Sequence, residues 1–184
     1  AVSVQKTGTG AWTLYGANTY TGTTSITGGY LVIYNSLHPS SAISVSGGTL
    51  AGSELDGGTA TVGEVTLTNS LNSTIRAGDF GSNIFYMSSL TIGTVVGGGG
   101  NAKLRFGSTS NTFSKIVVAS GVNLNGVQII LPAGMTTLGV KYTLIECTSG
   151  SLTGVYGLVN NLLGGGRIPT FTYEDGNKLC VTVN

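Results

Sequence analysis

Ile26-Thr27-Gly28-Gly29-Tyr30-Leu31 and Val45-Ser46-Gly47-Gly48-Thr49-Leu50 are two copies of one pattern: a β-branched residue, a hydroxyl residue, two glycines, a variable residue and leucine. Leu67 follows Leu50 at nearly the interval that separates Leu50 from Leu31, beyond Gly57-Gly58 and Gly63. Self-similarity at a period of roughly 20 residues is the mark of a solenoid, in which one turn of chain cannot bury its apolar face but stacked turns can. Glycine belongs at the corners of such coils, where the chain turns without room for a Cβ. The rival all-β arrangement, a sandwich or jelly roll, also gives short, evenly spaced strands, but its strands have no reason to resemble one another.

Outward from these copies the period-two texture continues. Ser25-Ile26-Thr27, Tyr30-Leu31-Val32-Ile33, Ile43-Ser44-Val45-Ser46, Ser89-Leu90-Thr91-Ile92, Lys103-Leu104-Arg105 and Lys115-Ile116-Val117-Val118 all read as strands bounded by Gly, Ser or Asn. Asn125-Gly126 is a turn signal within strand material. Gly97 to Gly100 reads as a loop, lacking the Lys-Ser/Thr and helix of a phosphate loop. The nearest thing to a helical stripe, Asn160-Asn161-Leu162-Leu163, ends at Gly164-Gly165-Gly166. The expectation is an all-β, single-domain parallel β-helix over residues 1–184. Roughly nine turns of about 4.8 Å would give a rod on the order of 40 Å long.

Composition narrows the function. Of 184 residues 31 are Gly, and charged residues are 8%, against about 25% in an ordinary soluble domain. A net charge of +1 on scattered basic residues offers no footprint for nucleic acid. No apolar run is long enough to span a bilayer as a helix. A hydrophobic fraction of 40% argues against disorder. With so little like-charge repulsion, copies of the chain are expected to associate.

The segment Lys6-Thr7-Gly8-Thr9-Gly10-Ala11-Trp12-Thr13-Leu14-Tyr15-Gly16-Ala17-Asn18-Thr19-Tyr20-Thr21-Gly22-Thr23-Thr24-Ser25-Ile26-Thr27-Gly28-Gly29-Tyr30-Leu31 resembles the autotransporter-associated β-strand repeat. Residues 1–34 carry the best match, and residues 140–184 are similar in a looser way to the terminal coils or cap of passenger domains. The resemblance implies a right-handed parallel β-helix, secreted or displayed on a bacterial cell surface, among adhesins and structural stalks. Autotransporters end in an outer-membrane barrel of alternating strands, for which these 184 residues leave no room. The expectation is therefore a passenger piece or a small secreted β-helix.

Few residues suggest chemistry. His38, the sole histidine, precedes Pro39 and reads as a loop residue, so a histidine metal site or triad has little to build on. Glu54 and Asp56 share strand parity, and Glu64 follows half a turn later, a trio that could line a groove, cleave a glycan or hold calcium. Their bland reading is solvated corner residues. Glu174-Asp175-Gly176-Asn177 reads as a turn, and Lys103 and Arg105 alternate onto one strand face as a modest anion contact. Trp12 shares parity with Leu14 and is expected inside, whereas Tyr15 and Tyr34 have the opposite parity. Cys147 and Cys180 make one disulfide or remain two buried thiols, and spacing does not choose. No catalytic residue, metal or cofactor is expected.

The leading functional expectation is a non-enzymatic extracellular structural protein that polymerises head-to-tail into a filament. Open strand edges at the two ends would be the templates. The candidate self-association residues are Val2 and Val4 at one end and Leu179, Val181 and Val183 at the other, with no charged or helical cap at either. The alternatives are an adhesin passenger that binds surface glycans or host matrix, and a polysaccharide-active enzyme built on Glu54, Asp56 and Glu64.

Overall fold

The computed structural model describes residues 1–94, 101–109, 111–133, 138–158 and 167–184. The expectations at Gly97–Gly100 and at Asn160–Gly166 lie outside the described residues. Among the described residues there is no helix. The first coil is β1 (Val4–Lys6), β2 (Ala11–Leu14) and β3 (Ala17–Asn18). The second repeats it as β4 (Thr24–Ile26), β5 (Tyr30–Ile33) and β6 (Ser36–Leu37), and the third begins with β7 (Ile43–Val45) and β8 (Thr49–Ala51). Then come β9 (Thr59–Leu67), β10 (Thr74–Arg76), β11 (Ile84–Ile92), β12 (Lys103–Arg105) and a small hairpin, β13 (Ser108–Thr109) with β14 (Thr112–Phe113). The chain continues through β15 (Lys115–Val118), β16 (Val122–Asn123), β17 (Gln128–Ile130), β18 (Lys141–Cys147), β19 (Leu152–Thr153) and β20 (Gly157–Leu158). It finishes with β21 (Pro169–Glu174) and β22 (Lys178–Val183).

These strands form two main walls. Wall A runs β1-β4-β7-β9-β11-β15-β18-β22-β21, with β3 and β6 beside it, and wall B runs β2-β5-β8-β10-β12-β17-β20. Neighbours are parallel in wall B and from β1 to β18 in wall A, so successive windings lie directly on one another. This is a parallel β-helix, and for its parallel crossovers the right-handed sense is the rule.

Residues in register build columns. Trp12, Leu31, Leu50, Ile75, Leu104, Ile129 and Leu158 form the inner column of wall B. Lys6, Ile26, Val45, Leu67 and Ile92 form one inner column of wall A. The middle of both columns is buried, and each such aliphatic side chain contributes about 1.5–3 kcal/mol of burial. Outward, Ser25, Ser44, Thr66 and Thr91 stack in one hydroxyl column, a regularity that sequence spacing hides.

The repeated Gly-Gly is the corner where coils touch between the walls. A Cβ on Gly29 would collide with the Gly10 carbonyl oxygen, and one on Gly48 would lie 2.8 Å from Ile26 Cγ2 and 2.9 Å from the Gly29 oxygen. Coil-to-coil hydrogen bonds hold the corner, with the Tyr30 amide donating to the Gly10 carbonyl at 3.1 Å, Thr49 to Gly29 at 2.8 Å and Thr74 to Gly48 at 2.9 Å.

Two expectations are revised. Leu67 does not continue the Leu31–Leu50 column. It pairs with Val45 and Ile92 in wall A, and Ile75 stands over Leu50. The windings also lengthen along the rod. The step from Leu50 to Ile75 takes more chain than that from Leu31 to Leu50, and the step from Ile75 to Leu104 takes more again. Among the described residues wall B therefore holds seven strands, fewer than an even period would give. Part of the reason is that β9 and β11 run straight for nine residues each where lower coils break into two short strands around His38–Ser41.

Candidate assembly surfaces at the two ends

At the N-terminal end, β1, β2 and β3 pair only upward, with β4, β5 and β6. Among the described residues no strand lies on their other edges. The side chains of this coil that face the interior are correspondingly uncovered. Val4 and Leu14 are half-buried, and Trp12 is 51% exposed although Leu31, directly above it, is fully buried. The parity expected for Trp12 holds and its expected burial does not, because no coil lies beneath it here. Val2 at 67% and Tyr15 at 72% exposed extend this apolar end, and the Tyr15 ring rests 4.8 Å from that of Tyr34.

Lys6 is the part that sequence parity alone passed over. It stands in the column of Ile26 and Val45 and is buried. Its ammonium bends into the glycine corner and donates to the carbonyls of Thr7 at 2.6 Å, Gly28 at 3.1 Å and Gly8 at 3.3 Å. It also sits 5.7 Å from the centre of the Trp12 ring, a cation–π distance. The alternation Val4-Gln5-Lys6 was the available signal, since it places lysine on the inner parity.

The C-terminal end is built differently, and the expected end residues are corrected. Leu179, Val181 and Val183 lie on β22, which is paired antiparallel on both sides, with β18 and with β21. All three are fully buried, so they close the core and present no free edge. The end strand of wall A is β21, which starts at Pro169 and exposes Thr170, Thr172 and Tyr173. The hairpin turns at Asp175-Gly176, with φ of 53° and 70°, as the Glu174–Asn177 turn reading anticipated. Salt bridges Lys141–Glu174 and Lys178–Asp175 tie it down, so this end carries a charged cap where none was expected. Among the described residues, wall A continues two strands past its last parallel member, β18, and the last strand of wall B is the parallel strand β20.

The cysteines resolve toward thiols. Cys180 stands opposite Thr143, well down β18 from Cys147. That offset is on the order of 13 Å, beyond the roughly 7 Å that a disulfide spans between Cα atoms. Both are free and buried, and burial pushes both thiols up.

The carboxylates do not converge. Glu54 accepts from Arg76 at 3.0 Å, and Arg76 also pairs with Asp79. Asp56 accepts from the Ser82 hydroxyl at 2.5 Å at an exposed corner. Glu64 lies on the outer face of β9, level with Ser89. His38 accepts the Ser40 amide at Nδ1, 3.1 Å away, as a turn residue. Among the described residues no group of three His, Cys, Asp or Glu side chains is placed to hold a metal ion. Nor is any helix among them long and apolar enough to cross a membrane.

Residues 4–33 match the family model of the passenger-associated-transport repeat. The matched segment covers the first coil and the second through β5, including Lys6, Trp12 and the Gly28-Gly29 corner. Comparison with curated proteins and with solved structures gave no match.

Proposed function

We propose that this chain is a non-enzymatic, extracellular structural segment of a bacterial surface β-solenoid, and that the face of its first coil stacks against another β-solenoid coil. The observation that carries the reading is the uncovered first coil: unpaired edges on β1, β2 and β3 around Val2, Val4, Trp12 and Leu14. Open edges of this kind template another strand, and an apolar face beneath them supplies the drive. The repeat at residues 4–33 supports surface display or secretion. Glu54 and Asp56 are already engaged by Arg76 and Ser82 and Glu64 stands on a separate strand, which favours a structural role over glycan cleavage.

Sedimentation velocity and electron microscopy over a concentration series test this. The expected result is a concentration-dependent pair that Trp12→Asp disrupts. A wild-type chain that stays monomeric at its highest soluble concentration refutes the face. Filaments would mean that the β21 edge is the mate.

A second reading, a passenger segment that presents an adhesive surface, is favoured by the same repeat match. Reading the gene on both sides of these residues discriminates it, since a downstream run of alternating strands of roughly ten residues would mark a barrel.

A further inference from the structure

The side wall carries a second surface, independent of the ends. On the outer face of wall B, Tyr30, Thr49, Thr74, Lys103 and Gln128 stand in one column, and Arg76, Arg105 and Ile130 in the next. Tyr30, Thr49, Thr74, Arg76, Lys103, Arg105 and Ile130 line a groove of about 320 Å³. The Tyr30 column crosses five strands, about 19 Å along the rod at about 4.8 Å per step.

Charge pairing singles this groove out. Arg76, Lys115, Lys141 and Lys178 each face a carboxylate. Among the described residues Lys103 donates to the Leu71 carbonyl, at 2.7 Å, and neither Lys103 nor Arg105 forms an ion pair with a carboxylate. Arg105 is also in register with Arg76, and like charges placed opposite one another are destabilising. Burial, with Arg105 adding to it, holds the Arg76 guanidinium below its ordinary range. Two cations without a carboxylate partner among the described residues, on alternate residues of one strand, thus face an open trough floored by hydroxyls.

We propose that this groove binds an acidic polysaccharide, with carboxylate or sulfate groups on Lys103 and Arg105 and sugar hydroxyls on Thr49, Thr74 and Tyr30. An extended polymer suits a trough that runs along the rod. An acidic peptide is less suited, since the floor is the face of a sheet whose backbone is already paired and offers no strand edge to extend. Arginine adds the bidentate geometry that carboxylate and sulfate accept.

Isothermal titration of the full chain with four probes tests the proposal: an oligogalacturonate, a heparin-derived oligosaccharide, dextran and polyglutamate. The expected result is binding to one or both acidic oligosaccharides, weakened by added salt. Removing a cation should cost about tenfold, the size of one charge-assisted hydrogen bond. Lys103→Glu and Arg105→Glu change outward side chains on β12 and leave Leu104 in the core, so unchanged circular dichroism is the folding control. Binding of neither acidic oligosaccharide, equal binding of dextran or polyglutamate, or undiminished binding by the folded double variant overturns it. Loss of N-terminal pairing would leave this outcome unaffected.

Discussion

Replacing Gly29 and Gly57 by alanine separates backbone strain from coil-on-coil contact. Both residues have positive φ, 67° and 70°. Forcing an L-residue into that conformation costs about 1 kcal/mol in either place. Their surroundings differ. A Cβ on Gly57 meets nothing within 4 Å, whereas one on Gly29 runs into the Gly10 oxygen and lies 2.6 Å from both the Gly8 oxygen and Lys6 Nζ. The two carbonyls belong to the coil below, and relief requires parting the coils that the Tyr30–Gly10 hydrogen bond holds together. Overpacking of this kind costs about 1–3 kcal/mol. Gly29→Ala should therefore destabilise by about 2–4 kcal/mol and Gly57→Ala by about 1 kcal/mol. The measurement is urea unfolding followed by circular dichroism, comparing midpoints at matched slope. Equal losses for the two variants would refute the stacked corner, because only the Cβ on Gly29 would meet a neighbouring coil.

Two further outcomes follow from the electrostatics. The Lys115 ammonium, 2.8 Å away, holds the Glu146 carboxyl below its ordinary value, against an opposing push from burial. A carboxyl depressed on folding contributes stability above its unfolded pKa, and that contribution is lost as pH falls through the folded pKa. Glu146→Gln should thus be less stable than wild type at neutral pH, with the gap closing in acid, and a gap that does not shrink on acidification contradicts the pairing. Buried Cys147 and Cys180 should react slowly with a thiol reagent in the native protein and fully in denaturant, whereas an intact mass two hydrogen atoms short of the dithiol would contradict the strand register.

Particular residues show why only part of this was legible. Leu31 and Leu50 announced the coil because the windings that carry them share one Gly-Gly pattern, so like residues recur in one column. The rule failed at Leu67 because the next winding is longer, and the column passed to Ile75, a residue with no Gly-Gly before it. Parity placed Trp12 on the inner face, and the Glu174-Asp175-Gly176-Asn177 run between two strand segments marked a turn, since both depend on local geometry. Burial of Trp12, pairing of β22 and the distance between Cys147 and Cys180 depend on which strand lies next door. A period-two pattern does not carry that information: β22 reads the same whether its neighbour is parallel, antiparallel or absent. That Lys103 and Arg105 have no carboxylate partner among the described residues was invisible for the same reason, because partners such as Glu54 for Arg76 come from the preceding coil.

Lys6 shows how a motif residue can fit a column that otherwise excludes it. A charge at the position of Ile26, Val45, Leu67 and Ile92 would cost several kcal/mol if left unpaired in the core. The glycine corner removes that cost, because its carbonyls point where the bent ammonium arrives and no Cβ stands in the way. Lysine and the glycine corner are therefore one device: a Cβ on Gly29 would lie 2.6 Å from the Lys6 ammonium and close its niche, and without Lys6 the Gly28 carbonyl loses its side-chain donor. That coupling accounts for the spacing of Lys6-Thr7-Gly8-Thr9-Gly10 against Gly28-Gly29, and the matched repeat, residues 4–33, spans both halves of the corner.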